Sequence, residues 1–193
     1  MSNNAAKPKS LFNKMLRAAQ LDINLYEEVE ADKRANLQAF TVVILVSLAS
    51  GLGTAIAGIL SREDDPIWFL WGLLIGIGVS ILGWLMWALV TYAIGVTIFK
   101  GLETEADYGQ LLRTIGFSTT PGALRFFSFI PFIGGVIAFV ASVWALIAGV
   151  IAVRQALDFS TWRAIGTCIV GWVLYMLVLF LIPGFIIGRD ILF

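Results

Sequence analysis

The side chains able to carry chemistry are few, and their spacing argues against catalysis. Histidine is absent from the 193 residues, and the single cysteine, Cys168, lies inside an apolar run. That removes nucleophile-plus-histidine catalysis, disulfides within one chain and the common metal-ligand sets, so no metal or other cofactor is expected. Serine and threonine cluster in TIGFSTTPGALRFFSFIPFIGG at 114–135, but no lysine lies within an apolar run to act as their base. Asp158 and Asp190 fall at the ends of apolar runs, so the paired carboxylates of an aspartyl mechanism are missing. GLLIGIG at 72–78 is rich in glycine, yet it lacks the strand, loop and helix context of a nucleotide cradle. The chain is therefore expected not to be an enzyme. Charges inside a bilayer are costly and suggest function by default. Arg113, Arg125 and Arg154, however, all sit near the ends of apolar runs, where a long stem can carry the guanidinium to the headgroups.

The elements that must position these residues are membrane helices. Hydrophobic residues make up 59% of the chain and charged ones 13%, against about 25% charged in a soluble domain. Several runs reach the roughly 20 apolar residues that a helix needs to cross a bilayer. Net charge is zero and the basic residues form no stripe, which excludes nucleic acid as a partner. The first apolar run follows a long charged stretch and is expected to stay as an anchor, unlike a cleaved signal peptide.

Residues 1–36 are polar. Leu11, Phe12, Met15, Leu16 and Ala19 recur at helical spacing, with Lys7, Lys9, Lys14 and Arg17 around them. Such a helix suits the cytoplasmic headgroup layer, or it packs against the protein's own bundle. Both readings stay open. LDINLYEEVEADKRANLQAF then gives a helical lead-in to a first span at about 39–60. There Ser47, Gly51 and Ala55 lie at four-residue intervals, a spacing that lets two backbones approach closely in lipid. After SREDDP at 61–66, the run 67–99 is too long for one upright crossing and too short for two, so one long tilted helix is expected. Trp68 and Trp71 suit its interfacial end, and Gly72, Gly76 and Ser80 mark another close-packing face. Gly51, Ala55, Gly72 and Gly76 are the candidate helix-packing positions, their partner a helix of this chain or of a second copy. Further apolar runs occupy about 132–153 and 162–187.

Between Arg113 and Arg125 only eleven uncharged residues intervene, far short of a spanning length. A crossing requires the helix to continue to Phe129 with both arginines reaching for headgroups. Pro121 would kink it and free the carbonyl of Phe117, and Ser118, Thr119 and Thr120 are residue types able to satisfy such a group. Pro131 marks the following turn. The rival is a loop that dips in and leaves on the same side. Lysine and arginine are in excess on the cytoplasmic side, which places the amino terminus there. Both arrangements nevertheless give the same count, so charge does not place the carboxyl terminus.

The segment 114–135, the following run with Trp144, and LYEEVEADKRANLQAFTVVILVSLASGLG together resemble the prokaryotic branch of the Yip1 family, from about residue 20 to the end. The most specific part is Gly116, Phe117 and Ser118 with Pro121 shortly after, then the turn from Pro131 to Gly134. These residues and Arg125 are the candidate structural or interaction positions. The resemblance implies a cytosolic amino terminus and five membrane helices. The expected fold is thus all-α, a polytopic bundle of five transmembrane helices over 37–193 with an amphipathic cytoplasmic segment at 1–36. Eukaryotic relatives engage Rab GTPases and carry an Asp-Leu-Tyr-Gly-Pro motif before the first span. Here Asn24 to Glu28 read Asn-Leu-Tyr-Glu-Glu, so Rab-type GTPase binding does not transfer. The expected role is non-enzymatic: organising or stabilising a membrane protein assembly or a lipid environment, as a scaffold or accessory subunit. Its partners would be the bilayer and other membrane proteins or a homo-oligomer, in a bacterial cytoplasmic membrane. The alternative is a small transporter or channel built around a broken helix at Pro121.

Overall fold

The structure is a computed structural model that describes residues 10–61, 66–100 and 107–191, with no side-chain description at 61, 66–68, 175 and 178–191. Lys7, Lys9 and Arg62, and the side chains of Trp68, Arg189 and Asp190, lie outside the described residues.

All the described elements are helical: α1 (Leu11–Ala19), α2 (Ile23–Ala31), α3 (Ala35–Ser61), α4 (Pro66–Thr97), α5 (Tyr108–Ser118), a 3-10 segment (Thr120–Phe129), α6 (Gly134–Ala156) and α7 (Thr161–Ile191). Among the described residues, three helices are long and apolar enough to cross a membrane: Ala35–Leu60, Phe69–Thr97 and Gly134–Ala156. The apolar stretch Thr161–Leu174 opens α7. The run at 67–99 folds as one helix, as its length requires. Large apolar side chains such as Leu74, Ile75 and Val79 of α4 and Phe139 and Leu146 of α6 face outward. In water that surface would be costly, and in a bilayer it is the natural exterior. The chain is an integral membrane protein.

The amino-terminal lead-in does not run straight into the first span. Ser10 caps α1 by accepting from the Asn13 amide at 3.3 Å, and Asp22 caps α2 by accepting from the Asn24 amide at 3.0 Å. Between the two helices, Leu21 takes a left-handed φ of 61°. The chain breaks again at Asp32, which accepts from the Arg34 amide at 2.9 Å before α3 begins. These short-range hydrogen bonds outcompete helix continuation, the usual effect of aspartate and serine at turns. The two short helices then fold back onto the bundle. Ala18, Leu25, Tyr26 and Val29 are fully buried and share one core with Ala39 and Val42 of α3, Phe117 of α5 and Ala152 and Val153 of α6.

Of the two readings of α1, packing against the bundle is what the structure shows. Lys14 and Arg17 do not face headgroups. Arg17 pairs with Asp22 and Glu28 at 2.7 Å each, while Lys14 is buried and donates to Gln38 Oε1 at 3.0 Å. Phe12, 75% exposed, and Leu16 still project from the outer side of α1, so the helix keeps an apolar face for a membrane or a partner.

Candidate functional site

The segment between the two arginines is built differently from a kinked α-helix. α5 ends at Ser118, and the backbone tightens to 3-10 geometry through Phe129. Pro121 stands at the start of that segment rather than in the middle of an α-helix, so its missing amide removes little. Three hydroxyls close the junction: Ser118 donates to the Ile115 carbonyl at 2.8 Å, Thr119 to Gly116 at 2.7 Å and Thr120 to Phe117 at 2.7 Å. The carbonyl of Phe117 thus finds its partner in Thr120. Among the described residues, no buried side-chain nitrogen or oxygen lacks a hydrogen bond, and nothing around Pro121 supports a channel.

The contacts of this segment measure its course. Gly116 lies against Ala39 of α3, Gly122 against Val46, and the carbonyls of Arg125 and Phe126 against Gly53. Ten residues therefore advance past fourteen of α3, about 21 Å at the α-helical rise, where ten α-helical residues would cover about 15 Å. A 3-10 rise near 2.0 Å per residue from Thr120 onward supplies about half of the difference. On the other side the segment runs antiparallel to α6, with Ser118 beside Gly149 and Ser128 beside Gly134. The turn back comes at Pro131 and Phe132. Phe132 is exposed, with φ at 67°, and the Ile133 amide donates to the Pro131 carbonyl at 2.8 Å. Gly134 is required at the close: a Cβ there would collide with the Ser128 carbonyl.

Two polar clusters fix the ends of the segment. At its start, Arg113 is only 3% exposed and does not snorkel to headgroups as its place near a run end suggests. Its Nε donates to the carbonyls of Val29 at 3.0 Å and Glu30 at 3.1 Å, Nη2 donates again to Glu30, and Nη1 donates to Asn36 Oδ1 at 3.3 Å. The guanidinium thereby ties the end of α2 and the start of α3 to α5. Gln110 donates to Glu30 Oε1 at 3.1 Å. Burial pushes the Glu30 carboxyl up to about 7, with Asp158 adding to the shift and Arg113 opposing it. At the other end Arg125 is exposed, and its Nη2 donates to Ser142 Oγ of α6 at 2.8 Å.

Between α3, α4 and the 3-10 segment lies a cavity of about 470 Å³, within the range of about 300–1,000 Å³ typical of small-ligand pockets. Ile115, Thr119, Gly122 and Arg125 form one stripe along its floor. The small residues of the two membrane helices fare differently. Gly51 takes the Leu73 side chain, which a Cβ would meet at 2.5 Å, and Ala55 is buried. A methyl group on Gly72 or Gly76 would meet nothing within 4 Å, and both residues open onto the cavity. They lie on one face of α4, and among the described residues no helix packs against them there.

The sequence gives little warning of three further anchors. Trp144 of α6 donates its indole N–H to the Ala19 carbonyl at the end of α1 at 2.8 Å. Trp84 of α4 donates to Leu112 at 3.1 Å, and Tyr108 donates to Leu85 at 2.9 Å, both joining α4 to α5. Trp84 and Trp144, in apolar runs, look like lipid-facing or core groups, and Tyr108 lies in a polar stretch. Their polar atoms reveal the role only once a carbonyl is seen opposite.

A family described as Yip1 domain matches residues 25–182. No curated protein and no solved structure matches the chain. The matched stretch begins within α2 and takes in α3, α4, α5, the 3-10 segment, α6 and most of α7, and this chain belongs to the Yip1 family of membrane proteins.

Proposed function

We propose that this protein is a non-enzymatic organiser within the membrane, stabilising a protein assembly or its lipid surroundings through the face between α3 and α4. The observation that carries this reading is the unfilled cavity there: α4 turns Gly72 and Gly76 toward open space of about 470 Å³. In lipid, small residues at this spacing let something pack closely, since van der Waals contact replaces the missing hydrophobic drive. Rab-type GTPase docking is left out of the reading, because Leu25 and Tyr26 of the Asn24 to Glu28 stretch are fully buried.

The proposed topology has five crossings, with 1–36 on the cytoplasmic side and 37–193 forming the membrane domain of a bacterial cytoplasmic membrane protein. From Thr114 to Phe129 the end of α5 and the 3-10 segment extend about 29 Å, close to a hydrocarbon core of about 30 Å. Their parallel course along α3 supports a full crossing over a dip. Affinity purification from native membranes in mild detergent tests the functional reading: it is expected to recover a stoichiometric protein partner, a second copy or a specifically enriched lipid. A lone monomer with none of these contradicts it.

A further inference from the structure

We propose that the cavity between α3 and α4 binds an anionic phospholipid, one acyl chain lying along the groove and the phosphate held by Arg125. This rests on the membrane-organising reading and names what is organised.

The groove suits a hydrocarbon chain because its hydroxyls are already engaged. Thr119 donates to Gly116, Ser50 to Gly122 at 3.3 Å, Thr54 to Ser50 at 3.1 Å and Ser80 to Gly76 at 2.8 Å. An acyl chain in contact with them strands no donor, so the desolvation penalty of an unpaired polar group does not arise. The absence of side chains at Gly72, Gly76 and Gly122 leaves room for it.

Arg125 supplies the selectivity. It lines the groove, and its one described hydrogen bond goes to a neutral hydroxyl, Ser142 Oγ. Among the described residues no carboxylate pairs with it, whereas Arg17 pairs with two. A guanidinium has five donors in a planar fork that matches phosphate oxygens. Next to hydrocarbon, such a charge calls for an anionic partner. Helix α3, α4 or α6 of a second copy is a poorer occupant, since these three contain no aspartate or glutamate to offer as counter-charge. A phospholipid brings phosphate and chain together, as basic pockets between membrane helices do elsewhere.

The test is native mass spectrometry of the full chain in mild detergent, titrated with phosphatidylglycerol, phosphatidylcholine of matched chains, or inorganic phosphate. The wild type is expected to retain one phosphatidylglycerol with at least fivefold preference over phosphatidylcholine, and to retain no inorganic phosphate. Arg125→Ala should reduce that preference below twofold, and Arg125→Lys should keep part of it. Gly76→Leu, which puts a side chain into the groove at a position where a Cβ meets nothing within 4 Å, should lower retention of both lipids at least fivefold. Equal retention of the two lipids by the wild type overturns the proposal. So does a preference that survives Arg125→Ala, or a dimer that Gly76→Leu dissociates while lipid retention is unchanged. Should Arg125→Ala fail to fold, undiminished phosphatidylglycerol retention in Gly76→Leu overturns the proposal by itself. Failure of lipid selectivity with a protein partner still co-purifying removes this site alone, whereas a monomer with neither removes the broader reading too.

Discussion

Arg113 shows how one buried side chain can hold the cytoplasmic end of the fold. Its donors meet main-chain carbonyls of α2 and the side-chain oxygen of Asn36, and hydrogen bonds from a charged group are the stronger kind, about 1.5–3 kcal/mol each. Arg113→Met leaves those buried carbonyls unpaired. It is expected to destabilise the protein by about 2–4 kcal/mol, read as a lower unfolding midpoint in mild detergent. Arg113→Lys should recover only part, because an ammonium lacks the planar fork. Glu30 gives this same corner a pH dependence. Burial, with Asp158 nearby, raises its carboxyl from 4.5 to about 7, so between those values the folded state holds more protons than the unfolded one. Stability from this group is then fully present below about pH 4.5 and declines as pH rises through about 7. Thermal unfolding at pH 5 and pH 8 should show a higher midpoint at pH 5. Glu30→Gln should shrink the difference by raising the pH 8 value.

At the scale of elements, glycines that look alike in the sequence divide by what lies opposite them. Gly53 faces the Arg125 carbonyl, which a Cβ would meet at 2.6 Å, and that of Phe126, closer still. Gly53→Ala must therefore push the 3-10 segment away from α3, at a cost of about 1–3 kcal/mol. Gly76 faces open space, so Gly76→Ala should be neutral or stabilise by up to about 1 kcal/mol through helix propensity. Unfolding midpoints of the two variants, measured side by side, check the contrast. The spacing of these residues is legible in the sequence because a helix repeats every 3.6 residues. Whether a neighbour fills the face is not, since that depends on where α3, α4 and the 3-10 segment come to rest. The change from α to 3-10 geometry after Ser118 is similarly hidden: TPGALRFFSF contains a proline that marks a break but nothing that fixes the pitch beyond it. Ser118, Thr119 and Thr120, by contrast, already signal that a break there would be closed by hydroxyls.

For the whole molecule, long apolar runs made the membrane character and the main helices legible, because crossing a bilayer leaves few solutions for a backbone. For α1 the return onto the bundle was one of two readings that the sequence left open, and nothing in it decided between them. Lys14 and Arg17 have the look of headgroup ligands until Gln38, Asp22 and Glu28 are seen beside them. Charge counting also left the course of 114–129 undecided, and it is the geometry along α3 that favours a complete crossing. The proposed topology has five crossings, with the two termini on opposite sides. The most direct measurement is compartment-specific labelling of a cysteine added after Phe193, in a chain whose Cys168 has been replaced, alongside a cysteine within residues 1–9 as reference. The account predicts that an impermeant reagent on the extracytoplasmic side labels the carboxyl-terminal cysteine and spares the amino-terminal one. Labelling of both termini from one side only would contradict it.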